Sequence, residues 1–523
     1  MNDDVSDIPA PVADFRQRRD TIRNELGGAA RVKSMHDRGE RTIRDHIDGF
    51  LDTDSFVEVG TFSRSENPAD KDSTPGDGKI GGHGAVNGRP VTVWGDDITV
   101  KRGSSSLIGS RKLSRLIDHA FGAGNPIVHF GQTGGARIPD TLGTEGFVTV
   151  TPGGMLPIRQ RRVPMATAIV GQSFGGSSFY AAHSDFVVQV RGSCLAVTSP
   201  RVIEVATGEK ISFEELGGVD VHAKVTGQID AVAETDDEAY DLIRQFLSYL
   251  PQNIDEPPPR LPFTDPIVPD PTLYKMVPEN RRRAYDMRPV LARIVDGGDY
   301  LELRPQMGRS VIGAIARIAG HPVAIMASNP MFQAGVLGPD SIDKMTRLVL
   351  LADSFGLPII VLQDVPGFMV GQQVEHDKLL HKAITAQQAL RLAGVPKFSL
   401  VMRKAFGLAY YAMGGNDQGF DLVMTWPGAE IGFMDPDVGA NVLYGGELAG
   451  LSPEDRKAEL AVRADALRAA TDPYDGAGVM KIDEVIDPAD TRLVLAQALD
   501  RYAARPFQSG ADRPLSSWPT CLA

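Results

Sequence analysis

Cysteine is nearly absent from this chain of 523 residues: Cys194 and Cys521 are the only two, they lie far apart, and neither has metal-type spacing. That excludes a four-thiolate zinc site, fits a reducing compartment, and leaves no metal site expected. Long apolar runs are missing as well. No stretch approaches the roughly 18 residues of a membrane helix, and the opening MNDDVSDIPAP is acidic, without the apolar core of a secretory signal. The expectation is a cytoplasmic protein with no membrane partner. An excess of positive charge is also lacking. With 54 basic and 67 acidic residues, the net charge of -13 disfavours general attraction to nucleic acid. Local basic pockets for a phosphate-bearing ligand remain compatible with it.

What is present is a chain with 42% hydrophobic residues, enough for substantial cores, and too long for a single one. It repeats itself once, at a fixed distance of 232 positions. Gly124, Pro126 and Ile127 recur as Gly356, Pro358 and Ile359; Pro90 and Val91 as Pro322 and Val323; Lys112 as Lys344; Phe174 and Gly175 as Phe406 and Gly407. A period this long means duplication of a whole domain and not of a small stacking unit.

Charge and apolar positions alternate over residues 1–60, as in helices packed on a larger body. A first copy follows over 61–255. It opens on GAVNGRPVTVWG, whose Asn-Gly pair marks a hairpin. The run PQNIDEPPPRLPFTDPIVPDP is too rich in proline for a helix or a central strand, and a linker is placed at 256–280. The second copy occupies 281–523. In each copy apolar strands (PVTVWG, PIVHF, MATAIVG; then PVAIMAS, PIIVLQD, KFSLVMR) alternate with helix-length segments such as LSRLIDHAFG and MTRLVLLADSFG, which predicts an α/β layered fold.

The chemistry is sought at the glycine turns. MATAIVG leads through Gly175 and Gly176 into a helix, and KFSLVMR leads through Gly407, Leu408 and Ala409 into another. The first N–H groups of such helices have no intrahelical partner and point outward together, a socket for an oxygen that becomes negative. A second glycine turn lies upstream in each copy, Gly134-Gly135-Ala136-Arg137 and Pro366-Gly367-Phe368, as a further wall. Paired oxyanion sockets need no catalytic triad, and no persuasive one emerges. His183 near Asp185, and His376 with His381, read as surface or capping groups. Arg137 and Arg403 have the fork geometry for phosphate or carboxylate, or for a structural tie. Met480-Lys481-Ile482 resembles a biotin acceptor, but its surroundings read as helix, loop and short strand instead of a small β-hairpin module.

The ordered segments TGGARIP, SPRVIEVATGEKISFEELGG, YDMRPVLARIVDGGDYLEL, AGVLGPDSIDK through DVPGFMVG, RKAFGLAY, WPGAEIGFM and IDEVIDPADTR resemble the carboxyltransferase (β) subunits of biotin-dependent acyl-CoA carboxylases, the propionyl-, acetyl- and methylcrotonyl-CoA group. The resemblance runs from about Arg31 to Arg492. It implies two tandem crotonase-like domains, a homohexamer built as a trimer of dimers, and carboxyl transfer from carboxybiotin to the α carbon, or vinylogous carbon, of an acyl-CoA. The biotin is carried on a separate biotin carboxylase or carboxyl carrier subunit, not on this chain.

By the same resemblance Gly175 and Gly176 hold the thioester oxygen, while Leu408 and Ala409 hold the biotin ureido oxygen. Gly134, Gly135, Arg137 and Tyr411 line the acyl-CoA side; Gly367, Phe368 and Gly407 line the biotin side. The chain departs from the pattern at Leu408, where relatives carry glycine or alanine, and at Asp377-Lys378, where they carry a glycine pair. Two other readings share these residues: a biotin-dependent acyl-CoA decarboxylase subunit, and a non-catalytic scaffold.

Overall fold

The runs Pro126–Phe130 and Pro358–Leu362 lack the alternation of a strand with one wet face. In the structure, a computed structural model that describes residues 8–150, 161–264 and 266–519, the strands Ile127–Thr133 and Ile359–Val365 are buried at every residue. Burial on both faces is the condition of a central parallel strand. The chain divides after Leu247 into two compact units.

Each unit is built on an eight-stranded sheet. In the first, the order is Val57–Glu58, Lys79–Val86, Arg89–Asp96, Ile127–Thr133, Met165–Ser173, Phe186–Val190 and Ala231–Ala233, with Cys194–Leu195 branching from Met165–Ser173. The first three strands pair antiparallel and the rest parallel. In the second, the order is Tyr300–Leu303, Val311–Ile318, His321–Ser328, Ile359–Val365, Lys397–Phe406, Leu422–Thr425 and Glu484–Val485, with Glu430–Gly432 branching from Lys397–Phe406.

The sequence repeat reappears as geometry, down to irregularities. The parallel register breaks between Gly131 and Thr133 in one sheet and between Gln363 and Val365 in the other. Isolated bridges join Ser105 to Ala136 and Leu337 to Phe368. The expected hairpin closes at Asn87 and Gly88, both at positive φ (51° and 76°), the geometry that suits a right-twisted strand pair. The helices Leu107–Ala123 and Pro339–Phe355 each end in a left-handed glycine, Gly124 at φ 67° and Gly356 at φ 76°, which explains why these glycines recur. Leu113, Leu116, Ile117 and Ala120 seat the first helix in a core with Trp94, Ile127 and Met165.

Ahead of the first sheet lie helices Ala10–Glu25, Ala29–Asp37 and Ile43–Phe50. The first buries no side chain; the third buries Ile43, His46, Ile47 and Phe50 and opens with a Thr42/Asp45 capping box. The proline-rich run 251–271 forms neither helix nor strand among its described residues. Among the described residues no helix is long and apolar enough to cross a membrane. Cys194 is buried; Cys521 lies outside the described residues.

Two histidines of the first unit are buried as neutral imidazoles. Desolvation, reinforced by Arg41 and opposed by Asp45, pushes His46 down to about 4. Burial, with Lys79 adding to it, pushes His129 down to about 3. Both lie below the unfolded value of about 6.5, so between these limits the unfolded chain binds more protons than the folded one. The stability tied to this difference is complete above about pH 6.5 and is lost as pH falls toward the folded values. Urea midpoints are therefore expected to decline from pH 6.5 to pH 4, and His129→Leu to decline less steeply. Equal slopes would remove His129 from this account.

Candidate active site

In the first unit Thr133 pairs with Ser173, and the two chains then leave the sheet side by side. One enters the turn Gly134–Arg137; the other passes Phe174 and Gly175 into the helix Gly176–His183. The turns touch. A Cβ placed on Gly175 would lie 3.9 Å from the Cα of Gly135. Gly175 sits at φ 59°, ψ -126°, a region open in practice to glycine alone.

The bonds around these turns separate the donors that are spent from those that are not. Gly175 N–H donates to the Val197 carbonyl at 3.1 Å. This corrects the expectation that Gly175 is a donor of the socket: it supplies the bend. Gly176, the first helical residue, presents an N–H with no intrahelical acceptor. In the facing turn Ser105 N–H donates to the Gly135 carbonyl and Arg137 N–H to the Ser105 carbonyl, each at 2.8 Å. Since both groups flanking Ala136 face Ser105, the Ala136 N–H faces the opposite way. Sequence reading missed Ala136; the signal was its place one residue beyond the glycine pair.

Of the two readings of Arg137, its contacts fill the structural tie and not the place on the acyl-CoA side. Its side chain is 3% exposed, with Nη1 2.6 Å from Asp77 Oδ1 and 3.4 Å from Asp140 Oδ2, and Nη2 within reach of the Asp77 and Ser104 carbonyls. A guanidinium so engaged holds the turn in place and is not free to meet a phosphate. The run Gly171–Gly175 also spells the Gly-x-Ser-x-Gly spacing of a nucleophile elbow. Ser173 is nevertheless fully buried, the last residue of its strand, with its Oγ donating to Ser177 Oγ at 2.9 Å. It cannot serve as an exposed nucleophile.

The second unit repeats the plan. Val365 pairs with Ala405; one chain enters Pro366-Gly367-Phe368 and the other passes Phe406 into the helix Gly407–Ala412. Leu337 N–H donates to the Gly367 carbonyl at 3.0 Å and Met369 N–H to the Leu337 carbonyl at 2.9 Å, so the Phe368 N–H faces away from Leu337. Gly367, at φ 146°, has open space where a side chain would be. Leu408 and Ala409 hold the second and third helical positions, ahead of any intrahelical acceptor. The Leu408 side chain is 66% exposed and Ala409 is buried, so the leucine leaves its own N–H in place. With only six residues the helix contributes little dipole, and its donors act one by one. Gly407, at φ 62°, passes the Phe433 carbonyl so closely that a Cβ there would sit 3.1 Å from it. Tyr411 is half-buried beside Tyr410, ring centroids 5.2 Å apart.

Beside the Phe368 turn opens a cavity of about 1030 Å³, lined by Met369, Gly338, Phe332 and Arg309 among others. Arg403, like Arg137, is an internal tie: Nε donates to Asp364 Oδ2 at 2.9 Å, and Nη1 reaches the carbonyls of Pro278, Asn280 and Arg283. Burial pushes the Asp364 carboxyl up, against the pull of Arg403 and Lys404. Asp185 accepts from Met165 N–H at 2.9 Å, while His376 and His381 are exposed. Met480 and Lys481 lie between the helix Pro473–Gly478 and the short strand Glu484–Val485, with Lys481 paired to Asp417 at 2.9 Å. Among the described residues no group of three or more His, Cys, Asp or Glu side chains is placed to hold a metal.

Two duplicated α/β units, each bringing a glycine-bent helix start beside a second backbone turn, define an enzyme of the crotonase fold. The carboxyl transferase domain family matches residues 34–512, and the chain belongs to it. It is 36% identical to the methylmalonyl-CoA carboxyltransferase 12S subunit of Propionibacterium freudenreichii subsp. shermanii, over 92% of each chain. It is 36% identical to the propionyl-CoA carboxylase carboxyltransferase subunit of Haloferax mediterranei, over 89% of this chain and 91% of that one. The methylmalonyl-CoA decarboxylase subunit alpha of Propionigenium modestum is 32% identical, over 91% and 92%. A crystal structure of transcarboxylase 12S, a hexamer with methylmalonyl-CoA and methylmalonic acid bound, superimposes with a TM-score of 0.87 at 35% identity, covering 95% of this chain and 97% of that one.

Proposed function

We propose that this protein transfers a carboxyl group from carboxybiotin, borne by a partner protein, to the α carbon of an acyl-CoA, with one backbone socket for each reactant. The observation that carries the reading is the recurrence, at equivalent places in both units, of a helix start with unspent N–H groups beside a second turn whose central N–H is turned away from its bridge partner.

In the first unit Gly176 and Ala136 N–H hold the thioester oxygen while it gains negative charge on loss of the α proton. Gly134 and Gly135 leave room for close approach of the thioester, and Arg137 fixes the turn from behind. In the second unit Leu408 and Ala409 N–H, with Phe368 N–H, would hold the ureido oxygen of the biotin, which when bound would supply the carboxyl group and, through the ureido nitrogen that gives it up, the base that takes the α proton. The half-buried Tyr411 lies on that same helix and is assigned to the acyl-CoA side. The residues present fit these roles, because each offers a neutral N–H to an oxygen and keeps side chains out of the way at Gly135 and Gly367. By likeness to the 12S hexamer we assign a homohexamer working with a biotinylated partner subunit.

The test is to supply the hexamer with its biotinylated partner and labelled bicarbonate, and to vary the thioester across acetyl-, propionyl-, branched and longer acyl-CoAs. Label is expected in an acid-stable carboxyl group on at least one of them. The decarboxylase relative gives a second reading specific support, and carbon dioxide release from a carboxyacyl-CoA without net fixation would favour it. Saturable acyl-CoA binding with no transfer in either direction, beside a competent partner, would mark a scaffold and contradict the proposal.

A further inference from the structure

We propose that a buried chain of hydrogen bonds running beneath the helix Gly176–His183 positions the acyl-side socket, with Ser173, Ser177, His129, Thr167 and Ser184 as its positioning residues. This rests on the reading of that socket as the thioester-oxygen site. The chain starts at the end of the strand Met165–Ser173. Ser173 Oγ–H donates to Ser177 Oγ at 2.9 Å, and Ser177 Oγ lies 3.4 Å from His129 Nε2. Across the ring, His129 Nδ1 is 3.3 Å from Thr167 Oγ1. Thr167 Oγ1 is 2.7 Å from Ser184 Oγ, which donates to the Tyr180 carbonyl at 3.0 Å.

Only one arrangement of protons satisfies every link. Ser177 accepts from Ser173, so its own proton goes to Nε2. A neutral imidazole then carries its hydrogen on Nδ1 and donates to Thr167, Thr167 donates to Ser184, and Ser184 ends the run on a main-chain carbonyl. His129 is fully buried between the rings of Trp94 and Tyr180, 5.6 and 5.5 Å away, which keeps it neutral and fixed in plane. The run first meets the helix at Ser177, the residue after Gly176, and ends on the Tyr180 carbonyl, four residues before the helix cap Ser184. The helix is therefore held at both ends from below, and its first N–H is held with it.

The second unit shows that the fold does not require this device. At the corresponding places, 232 positions on, stand Val361 for His129, Ala405 for Ser173 and Ala409 for Ser177. There Gln363 Nε2 bonds Ser399 Oγ at 2.7 Å and the Met413 carbonyl at 2.9 Å, gripping the helix at its far end alone. Gly131 occupies the place of Gln363. A Cβ on Gly131 would lie 2.8 Å from Ile169 Cδ1, 3.1 Å from Ser177 Oγ and 3.3 Å from Ser173 Oγ, so the glycine makes room for Ile169 and the serine pair together.

The experiment compares Ser177→Ala, His129→Leu and His129→Gln with the parent hexamer. It measures kcat and KM for acyl-CoA, and deuterium uptake of the peptide spanning residues 174–179 with no substrate present. The proposal predicts kcat lower by about tenfold or more in Ser177→Ala and His129→Leu with KM changed less than about threefold, since a displaced donor is felt mainly in the transition state. It also predicts faster uptake over 174–179, and recovery of most of the rate in His129→Gln, whose amide offers both a donor and an acceptor. Should His129→Leu fail to fold, Ser177→Ala, which removes one oxygen, decides the matter. Variants that lose thermal stability but keep kcat, or lose kcat with unchanged uptake, would overturn the proposal. If the parent protein transfers no carboxyl group at all, the functional reading fails, and the uptake data still decide whether the chain holds the helix.

Discussion

Gly176→Pro is expected to cut carboxyl transfer roughly a hundred- to a thousand-fold, about 3 kcal/mol at the transition state, the cost of one donor in a preorganised oxyanion site. The substitution is selective for local reasons. Position 176 is the first of its helix, where proline's fixed φ is compatible and the missing N–H breaks no helical bond. Gly175 before it lies at φ 59°, ψ -126°, close to the mirror image of the extended conformation favoured ahead of proline, and glycine accepts either hand. The helix and the sheet should therefore survive while one N–H disappears. KM for acyl-CoA should move far less than kcat, because the thioester oxygen is neutral in the bound substrate and gains its negative charge only on the way to the enolate. Wild-type turnover in this variant would remove Gly176 from the site.

Leu408→Pro is expected to reduce transfer by a comparable factor while KM for acyl-CoA changes less than about threefold, since the N–H it removes serves the biotin oxygen and proline at the second helical position breaks no helical bond that holds Tyr411. Leu408→Gly makes the control. The leucine side chain is 66% exposed, and removing it leaves the N–H where it was, so transfer should stay within about threefold of the parent. If proline and glycine depress the rate equally, the side chain matters and the N–H does not. The pair of variants thus separates the two meanings of the departure at position 408.

Much of this architecture could be read from the residues because the duplication is carried by those the geometry requires. Gly124 and Gly356 recur as left-handed helix caps, and Asn87-Gly88 announced a hairpin through the backbone angles it demands. The strand runs were continuous in apolar residues because both faces are covered. The turns of the site were legible from glycine spacing. Which N–H groups in them are spent was not, because Val197 and Ser105, which bind the Gly175 N–H and the Gly135 carbonyl, lie outside the turns they complete.

Arg137 illustrates the same limit. A side chain beside a glycine pair suited either a phosphate contact or a structural tie, and the partner that decides for the tie, Asp77, lies 60 positions earlier. His129 escaped notice altogether. Its sequence neighbours read as an ordinary buried strand, and its role depends on Ser177 and Thr167, which only the packing of two strands under a helix brings together.

The central claim is that each reactant's oxygen rests on main-chain N–H groups of one particular unit. A structure of the protein with an unreactive acyl-CoA analogue tests it most directly, with the distances from the thioester oxygen, or its replacement, to the surrounding nitrogens as the measurement. The oxygen should lie about 3 Å from the nitrogens of Gly176 and Ala136. An oxygen bonded to side chains instead, or seated at Leu408 and Ala409, would contradict the account.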